Sequence, residues 1–332
     1  MFTKQLFWVA LLVVSVNSQS VLKGIKASIK DGSGSRDIVI NDLKDLAEAY
    51  ELRIEDQRLP ELTHDCLKNL DRLDTLVIKR CGLQNIHSDA FKSLTSLRIL
   101  DLSRNKIENV DKVFIGLNVW RVNLSMNHLS LIGDDAFDNM PKLRVLELDN
   151  NRLTKINTNW FKGSPKVFRL QMDNNKITQI PKAAFKRMDT EAALDIWLMD
   201  NRIEKIHTMA FEGVKKLDTL WLTNNKISSI TGEMFEDVVK IRSFYIDRNA
   251  LRCIDDSALT HIAVEQFSID RNPISCECLR VIKKWAKKSD VELSSASIGL
   301  GCLRDRIEEL FEKQKQFYED QLDRAERRED IK

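Results

Sequence analysis

The sequence predicts an α/β solenoid, a curved horseshoe of stacked coils with a parallel sheet on its concave wall. Three observations predict it. An apolar spacing recurs: Leu97, Leu100, Leu102, Asn105 and Ile107 in one unit, Leu143, Leu146, Leu148, Asn151 and Leu153 in another, Leu217, Leu220, Leu222, Asn225 and Ile227 in a third. The asparagine of that spacing returns at Asn127, Asn175, Asn201, Asn249 and Asn272, with Gln57 and Cys81 in its register in two earlier units; the steps along these ten positions run 24, 24, 22, 24, 24, 26, 24, 24 and 23 residues. Finally, Phe91, Phe137, Phe161, Phe185, Phe211 and Phe235 each lie ten residues past that position, and Phe114 nine past it in the shortened unit. One such unit cannot bury its own leucines, so the units must stack and share a core.

Taken in chain order, residues 1–18 read as a signal peptide. Lys4 supplies the positive start, and the apolar run from Leu6 to Val16 is eleven residues with one serine. That is shorter than the roughly 20 residues a membrane span needs. Val16 and Ser18 are small enough for cleavage after Ser18. No later segment is long and apolar enough to span a bilayer, so the expected product is secreted. Residues 19–48 form the expected N-terminal cap. Within it Ile25, Ala27 and Ile29 alternate, Asp31-Gly-Ser-Gly-Ser35 turns, and Ile38 and Ile40 alternate again, which reads as a hairpin.

Residues 49–274 hold about ten repeats. Each L-x-L is a short strand, and the asparagine turns the chain after it. A buried amide must be partnered, and asparagine carries both donors and an acceptor for the backbone groups of neighbouring coils. The phenylalanines are expected to stack as a spine on the wider convex side.

Residues 275–302 form a C-terminal cysteine cap: Asn272-Pro-Ile-Ser-Cys-Glu-Cys278, an amphipathic stretch through Trp285, then Cys302. In the last segment, 303–332, Leu303, Ile307, Leu310, Phe311, Phe317, Tyr318, Leu322 and Ala325 fall near helical spacing. This amphipathic helix suits either a short coiled coil, which would make homo- or hetero-dimers, or a solitary solvated helix.

The repeat residues resemble the extracellular leucine-rich-repeat family in its 24-residue form, over roughly Ala49 to Cys302. The C-x-C start at Cys276 and Cys278 looks like that family's C-terminal flanking module, which usually has four cysteines, whereas no fourth follows Cys302. The resemblance implies that Cys276 pairs with Cys302, leaving Cys278 for Cys253. A rival pairing joins Cys253 to Cys276, because both lie four residues past their asparagine in adjacent coils. Cys66 and Cys81 either pair or remain buried thiols. The whole layout resembles the secreted leucine-rich immune proteins of insects, in which the repeats serve recognition and the coil serves pairing.

Alternation along a strand turns the x positions of L-x-L to the concave face. The column between the second and third leucines reads Arg53, Val77, Asp101, Asn123, Glu147, Gln171, Trp197, Trp221, Tyr245, Ser268. Three successive coils therefore offer an exposed aromatic ladder. Large open apolar patches usually mark interaction sites, and Trp and Tyr are enriched among binding hot spots. The candidate partner-binding residues are Trp197, Trp221 and Tyr245, with Met199 and Arg248 on a rim that also holds Asp200, Thr223 and Asp247. The competing reading covers the ladder with the chain's own C-terminal helix. Asn123-Leu-Ser125 is the one N-glycosylation sequon, three coils from Trp197 on the same column.

Net charge is +2 over 332 residues, which gives no electrostatic case for nucleic acid or an anionic membrane. The five histidines form no metal-protease or zinc-ligand spacing, and no nucleophile elbow, P-loop or dinucleotide motif is present. No enzyme activity, cofactor or metal site is expected. Asp149, Asp173, Asp247 and Asp270 share a concave column, read as a solvated acidic row. The expected function is secreted protein binding in innate immune recognition. The alternatives are a matrix or cell-surface adhesion protein and a non-catalytic subunit of a secreted enzyme complex.

Overall fold

A computed structural model describes residues 21–189, 191–295, 302–303 and 306–317. The signal-peptide reading at 1–18 and the tail beyond 317 lie outside the described residues. Thirteen strands form one sheet, ordered from Glu292–Ser294 through each coil in turn to Lys26–Asp31 and Gly34–Val39. The coil strands pair in parallel without a gap. Helices are few. The convex side is built of turns, with one six-residue helix, Asp256–His261, and a 13-residue helix, Cys276–Lys288, at the end.

The asparagines hold the coils together by a repeated set of hydrogen bonds. Asn175 shows the pattern. Its amide donates to Leu148 O of the preceding coil (3.0 Å) and to Met172 O of its own (3.1 Å), while its Oδ1 accepts from Leu153 N–H (2.9 Å). Each carbonyl so used is shared with a neighbouring ladder asparagine. Leu148 O also accepts from Asn151, and Met172 O from Asn201. All eight asparagines are buried. The residue before each ladder position is left-handed, from Asp56 (φ 56°) through Met126 (φ 56°) to Arg271 (φ 56°). This backbone bend aims the next side chain inward, although non-glycine residues adopt it at a steric cost.

Cys81 explains how a coil manages without the asparagine. Its thiol donates to Lys79 O (3.1 Å), but it has no side-chain carbonyl to offer. The waiting donor of the preceding coil, Leu59 N–H, bonds instead to the Cys81 backbone carbonyl (2.9 Å).

The core runs unbroken from Leu22 to Ile282. On its convex side Phe91, Phe114 and Phe137 stack with centroids 6.2 and 5.8 Å apart, and Phe185, Phe211 and Phe235 with centroids 5.4 and 5.3 Å apart. Between the two runs Trp160, fully buried, meets Phe137 edge-on at 6.3 Å. The sequence pattern marks only Phe161 there.

The first coil is covered by an antiparallel hairpin, Lys26–Asp31 against Gly34–Val39, whose Ala27 and Ile29 turn inward. At the other end Ser275 caps the helix Cys276–Lys288 by accepting from Cys278 N–H (3.2 Å), and Cys278, Ile282 and Ala286 face the core. Two residues apart on the first turn, the helix cysteines point differently. Cys278 joins Cys253 (Cα–Cα 5.5 Å) and Cys276 joins Cys302 (4.4 Å). The rival bond from Cys253 to Cys276 does not form, because the helix turns Cys278 toward the preceding coil. Cys66 and Cys81 are free and buried. Burial pushes the Cys66 thiol up to about 11, so neither ionises readily in the folded protein.

Candidate binding face

The parallel register sets one residue per coil at each level of the concave wall. Arg53, Val77, Asp101, Asn123, Glu147, Gln171, Trp197, Trp221, Tyr245 and Ser268 pair in succession. On the N-terminal half, charged side chains pair sideways across coils: Lys79 with Asp101 (2.8 Å), Arg121 with Glu147 (2.8 Å), Arg169 with Asp195 (2.6 Å). From Trp197 onward rings replace them. The Trp197 and Trp221 centroids lie 5.9 Å apart, and those of Trp221 and Tyr245 lie 4.4 Å apart, in tilted contact.

Two details correct the picture of an exposed ladder. The three residues are half-buried, because each ring leans on its neighbour at the coil spacing of about 4.8 Å. Among the described residues the buried indole N–H of Trp221 has no hydrogen-bond acceptor, whereas that of Trp197 donates to Asp195. Asp195 thus holds both Arg169 and the Trp197 indole, which fixes the first ring of the row. The C-terminal helix does not hide the ladder within the described residues. Residues 306–317 are helical and every one is exposed, including Ile307, Leu310, Phe311 and Phe317. A covering helix would bury its own apolar side.

The rim residues separate. Met199 is half-buried beside the row, and its N–H donates to Asp173 Oδ1 (2.8 Å). Arg248 is exposed at the lip, in the left-handed position (φ 52°). Asp247 is spent within the wall, accepting from Ser268 and from Asp270 N–H (2.8 Å). Asp173 is the unusual acid. Burial pushes its carboxyl up to about 7, the Met199 N–H works against this, and the nearby Asp149 and Asp200 charges add to it. The acidic column is therefore not a uniformly solvated row. Asn123 lies half-buried on the wall, its Oδ1 accepting from Ser125 N–H (2.9 Å) and Ser125 Oγ (2.7 Å).

Two side-chain groupings escaped the sequence reading because their members come from different coils. His64, His87 and Asp89 meet on the descending side, with ligand atoms within 4.8 Å of one another. Elsewhere Trp120 and Phe168 line a surface depression with Lys142, Arg144 and Lys166. Only an alignment of the coils on each other, column by column, could have found either.

Comparison with known proteins agrees with this architecture. The leucine rich repeat family profile matches residues 71–129, 118–177 and 195–251. Human Toll-like receptor 9 is 35% identical over 104 residues, 28% of this chain and 10% of that protein. The chain thus spans about a tenth of that relative's length. Among solved structures, the complex of Toll with Spatzle from Drosophila superposes with a TM-score of 0.61 at 19% identity, covering 77% of this chain and 38% of that one. The APL1 leucine-rich repeat domain superposes with a TM-score of 0.51 at 20% identity, covering 71% of this chain and 64% of that one. Among the described residues no helix is long and apolar enough to cross a membrane.

Proposed function

We propose that this chain, a leucine-rich-repeat protein of the extracellular type, is a secreted protein-binding module in innate immune recognition, and that it grips its ligand with the concave row Trp197, Trp221 and Tyr245. The observation that carries the reading is the row itself, three contacting rings in a column whose other members, Val77 apart, are polar. A ligand that covers the open faces of the rings removes apolar area from water at roughly 25 cal/mol per Å². The pinned indole of Trp197 and the mutual contact of the rings lower the entropy lost on binding. Asp149 and Asp200, whose charges reach Asp173 beside the start of the row, favour a ligand that presents a basic residue beside its apolar anchor. The two disulfides in the C-terminal cap suit an oxidising compartment. The likeness of the chain to Toll in its complex with Spatzle supports a protein ligand. Binding rather than catalysis is the mode of action this reading assigns.

The test is quantitative capture. Wild-type protein and the Trp221→Ala variant are immobilised and exposed to extracellular fluid, and retained proteins are measured by mass spectrometry. A hot-spot ring is worth at least about 2 kcal/mol, so the specific ligand should fall about thirtyfold. Equal retention by a folded Trp221→Ala variant refutes the concave row as the site. Mass spectrometry of the Asn123 peptide, before and after glycosidase, reports whether a sugar limits access from the N-terminal half.

A further inference from the structure

We propose that His64, His87 and Asp89 form a binding site for a divalent transition-metal ion of the zinc type, which clips the first two repeat coils together on their descending side. The register of the short strands Glu61–Leu62 and Asn85–Ile86 brings the two turns side by side, although His64 and His87 are 23 residues apart in the chain. One ligand atom from each of the three residues lies within 4.8 Å of the others. The imidazole centroids are 5.3 Å apart and tilted by 51°.

The chemistry of the set is specific. Two imidazoles and one carboxylate suit zinc, copper(II) or nickel, and do not suit calcium or magnesium, which take oxygen ligands. Zinc bonds its nitrogen and oxygen ligands at about 2.0–2.2 Å, which sets neighbouring ligand atoms about 3.4 Å apart in a tetrahedron. His64 Nδ1 and Asp89 Oδ2 stand at 4.0 Å, so small rotations of exposed side chains close the site. The other face of His64 supplies what a ligating imidazole needs. Its Nε2 lies 3.3 Å from the Asp65 carboxylate, which holds the ring with Nδ1 toward Asp89. Asp65 is itself paired with Lys68 (3.5 Å).

His87 shows what the metal must displace. Its Nδ1 accepts from Asp89 N–H at 3.2 Å, and binding exchanges this one long hydrogen bond for a metal bond. His207 makes the same local turn, with Met209 N–H donating to its Nδ1 (3.0 Å), yet Lys182 stands one coil before where His64 stands before His87, and Met209 stands in the place of Asp89. The turn alone is therefore structural, and the second histidine and the acid are what add a binding capacity at His87. The location also has a consequence for the fold. These coils carry Gln57 and Cys81 where the others carry the ladder asparagine, and a metal clip would add a cross-coil link where the ladder is missing.

The experiment is titration of the chelator-treated full-length secreted protein with Zn²⁺ by calorimetry, alongside the His64→Gln, His87→Gln, Asp65→Asn and His207→Gln variants. The expected result is one Zn²⁺ site per chain in wild type and His207→Gln, with affinity lower by at least tenfold in His64→Gln and His87→Gln. Asp65→Asn, which loosens the ring without removing a ligand, should lose about tenfold. In parallel, amide exchange across residues 61–89 should slow on adding Zn²⁺ in wild type and stay unchanged in His87→Gln. The glutamine variants alter exposed side chains, and their unchanged melting in chelator verifies that they fold. Absence of Zn²⁺ binding by wild type, or equal binding by His64→Gln and His87→Gln, overturns the proposal.

Discussion

Replacing Asn175 with alanine tests what joins one coil to the next. The side chain makes four bonds, to Leu148 O, Met172 O and Asp173 O and from Leu153 N–H, but their loss is not equivalent. Leu148 O, Met172 O and Asp173 O keep a donor each, from the Asn151 and Asn201 amides and from Asn150 N–H. Leu153 N–H has Asn175 Oδ1 as its side-chain acceptor and would be left buried and unpaired. An orphaned buried donor costs about 1–3 kcal/mol, and each weakened carbonyl bond about 0.5 to 1 kcal/mol beyond that. With the small void left by the amide, the expected loss is about 3 kcal/mol. Aspartate at the same position should cost more near neutral pH. It keeps an acceptor for Leu153 N–H but turns a carboxylate oxygen toward two carbonyl oxygens in a buried site. The assay is urea unfolding, read as a lower midpoint at unchanged slope, together with amide exchange at Leu153. Because coil stability depends on nearest neighbours, exchange should rise around residues 151–177 and remain unchanged near Asn249. A loss under 1 kcal/mol with Leu153 still protected would refute the ladder as the main coil-to-coil link.

Two further outcomes follow from the wall and the cap. Asp173 holds its proton to about pH 7 in the folded protein but to about pH 4 when unfolded, so the folded state binds more protons between those values. Stability therefore falls as pH rises from about 4 to about 7 and is level above, with at most about 4 kcal/mol at stake and less after solvent relaxation. Asp173→Asn should flatten that slope and be more stable than wild type at pH 8 in urea unfolding, and an unaltered slope rejects the assignment. Cys253–Cys278 and Cys276–Cys302 close loops of 25 and 26 residues, each worth about 3.5 kcal/mol by chain entropy. Cys253→Ser with Cys278→Ala should lower thermal stability and first loosen the helix Cys276–Lys288, seen as early amide exchange there, while the hairpin at 26–39 stays protected.

Period and alternation carry most of what the sequence reveals here. A 24-residue step with leucines at fixed offsets can be satisfied by only one stacking, so the order of strands and the membership of each concave column were legible from single coils. What was not legible depends on distances between coils. Rings placed on the same column at about 4.8 Å must lean on one another, so Trp197, Trp221 and Tyr245 end half-buried. Trp160 enters the phenylalanine spine beside Phe161 because the convex side is irregular where two runs of stacked rings meet. Spacing alone permits two pairings of the cap cysteines. The first turn of the terminal helix decides, turning Cys278 inward and Cys276 toward Cys302. His64 and His87 stayed hidden because a metal-ligand motif is sought along the chain, whereas these two meet across it.

The same column logic argues for where a ligand settles. Along the first half of the wall, Lys79 with Asp101 and Arg121 with Glu147 are already neutralised within the chain, and a ligand that met them would have to replace bonds before it gained any. Arg169 with Asp195 marks the boundary, since Asp195 also takes the Trp197 indole. Beyond it the wall offers ring faces in place of paired charges. On the proposed function, binding free energy per unit of buried surface would be greatest over coils seven to nine, and the polar first half would exclude partners lacking a matching charge pattern. Exchanging Arg121 and Glu147 for alanines should thus leave affinity nearly intact while broadening the set of captured proteins, whereas loss of Trp221 should empty it.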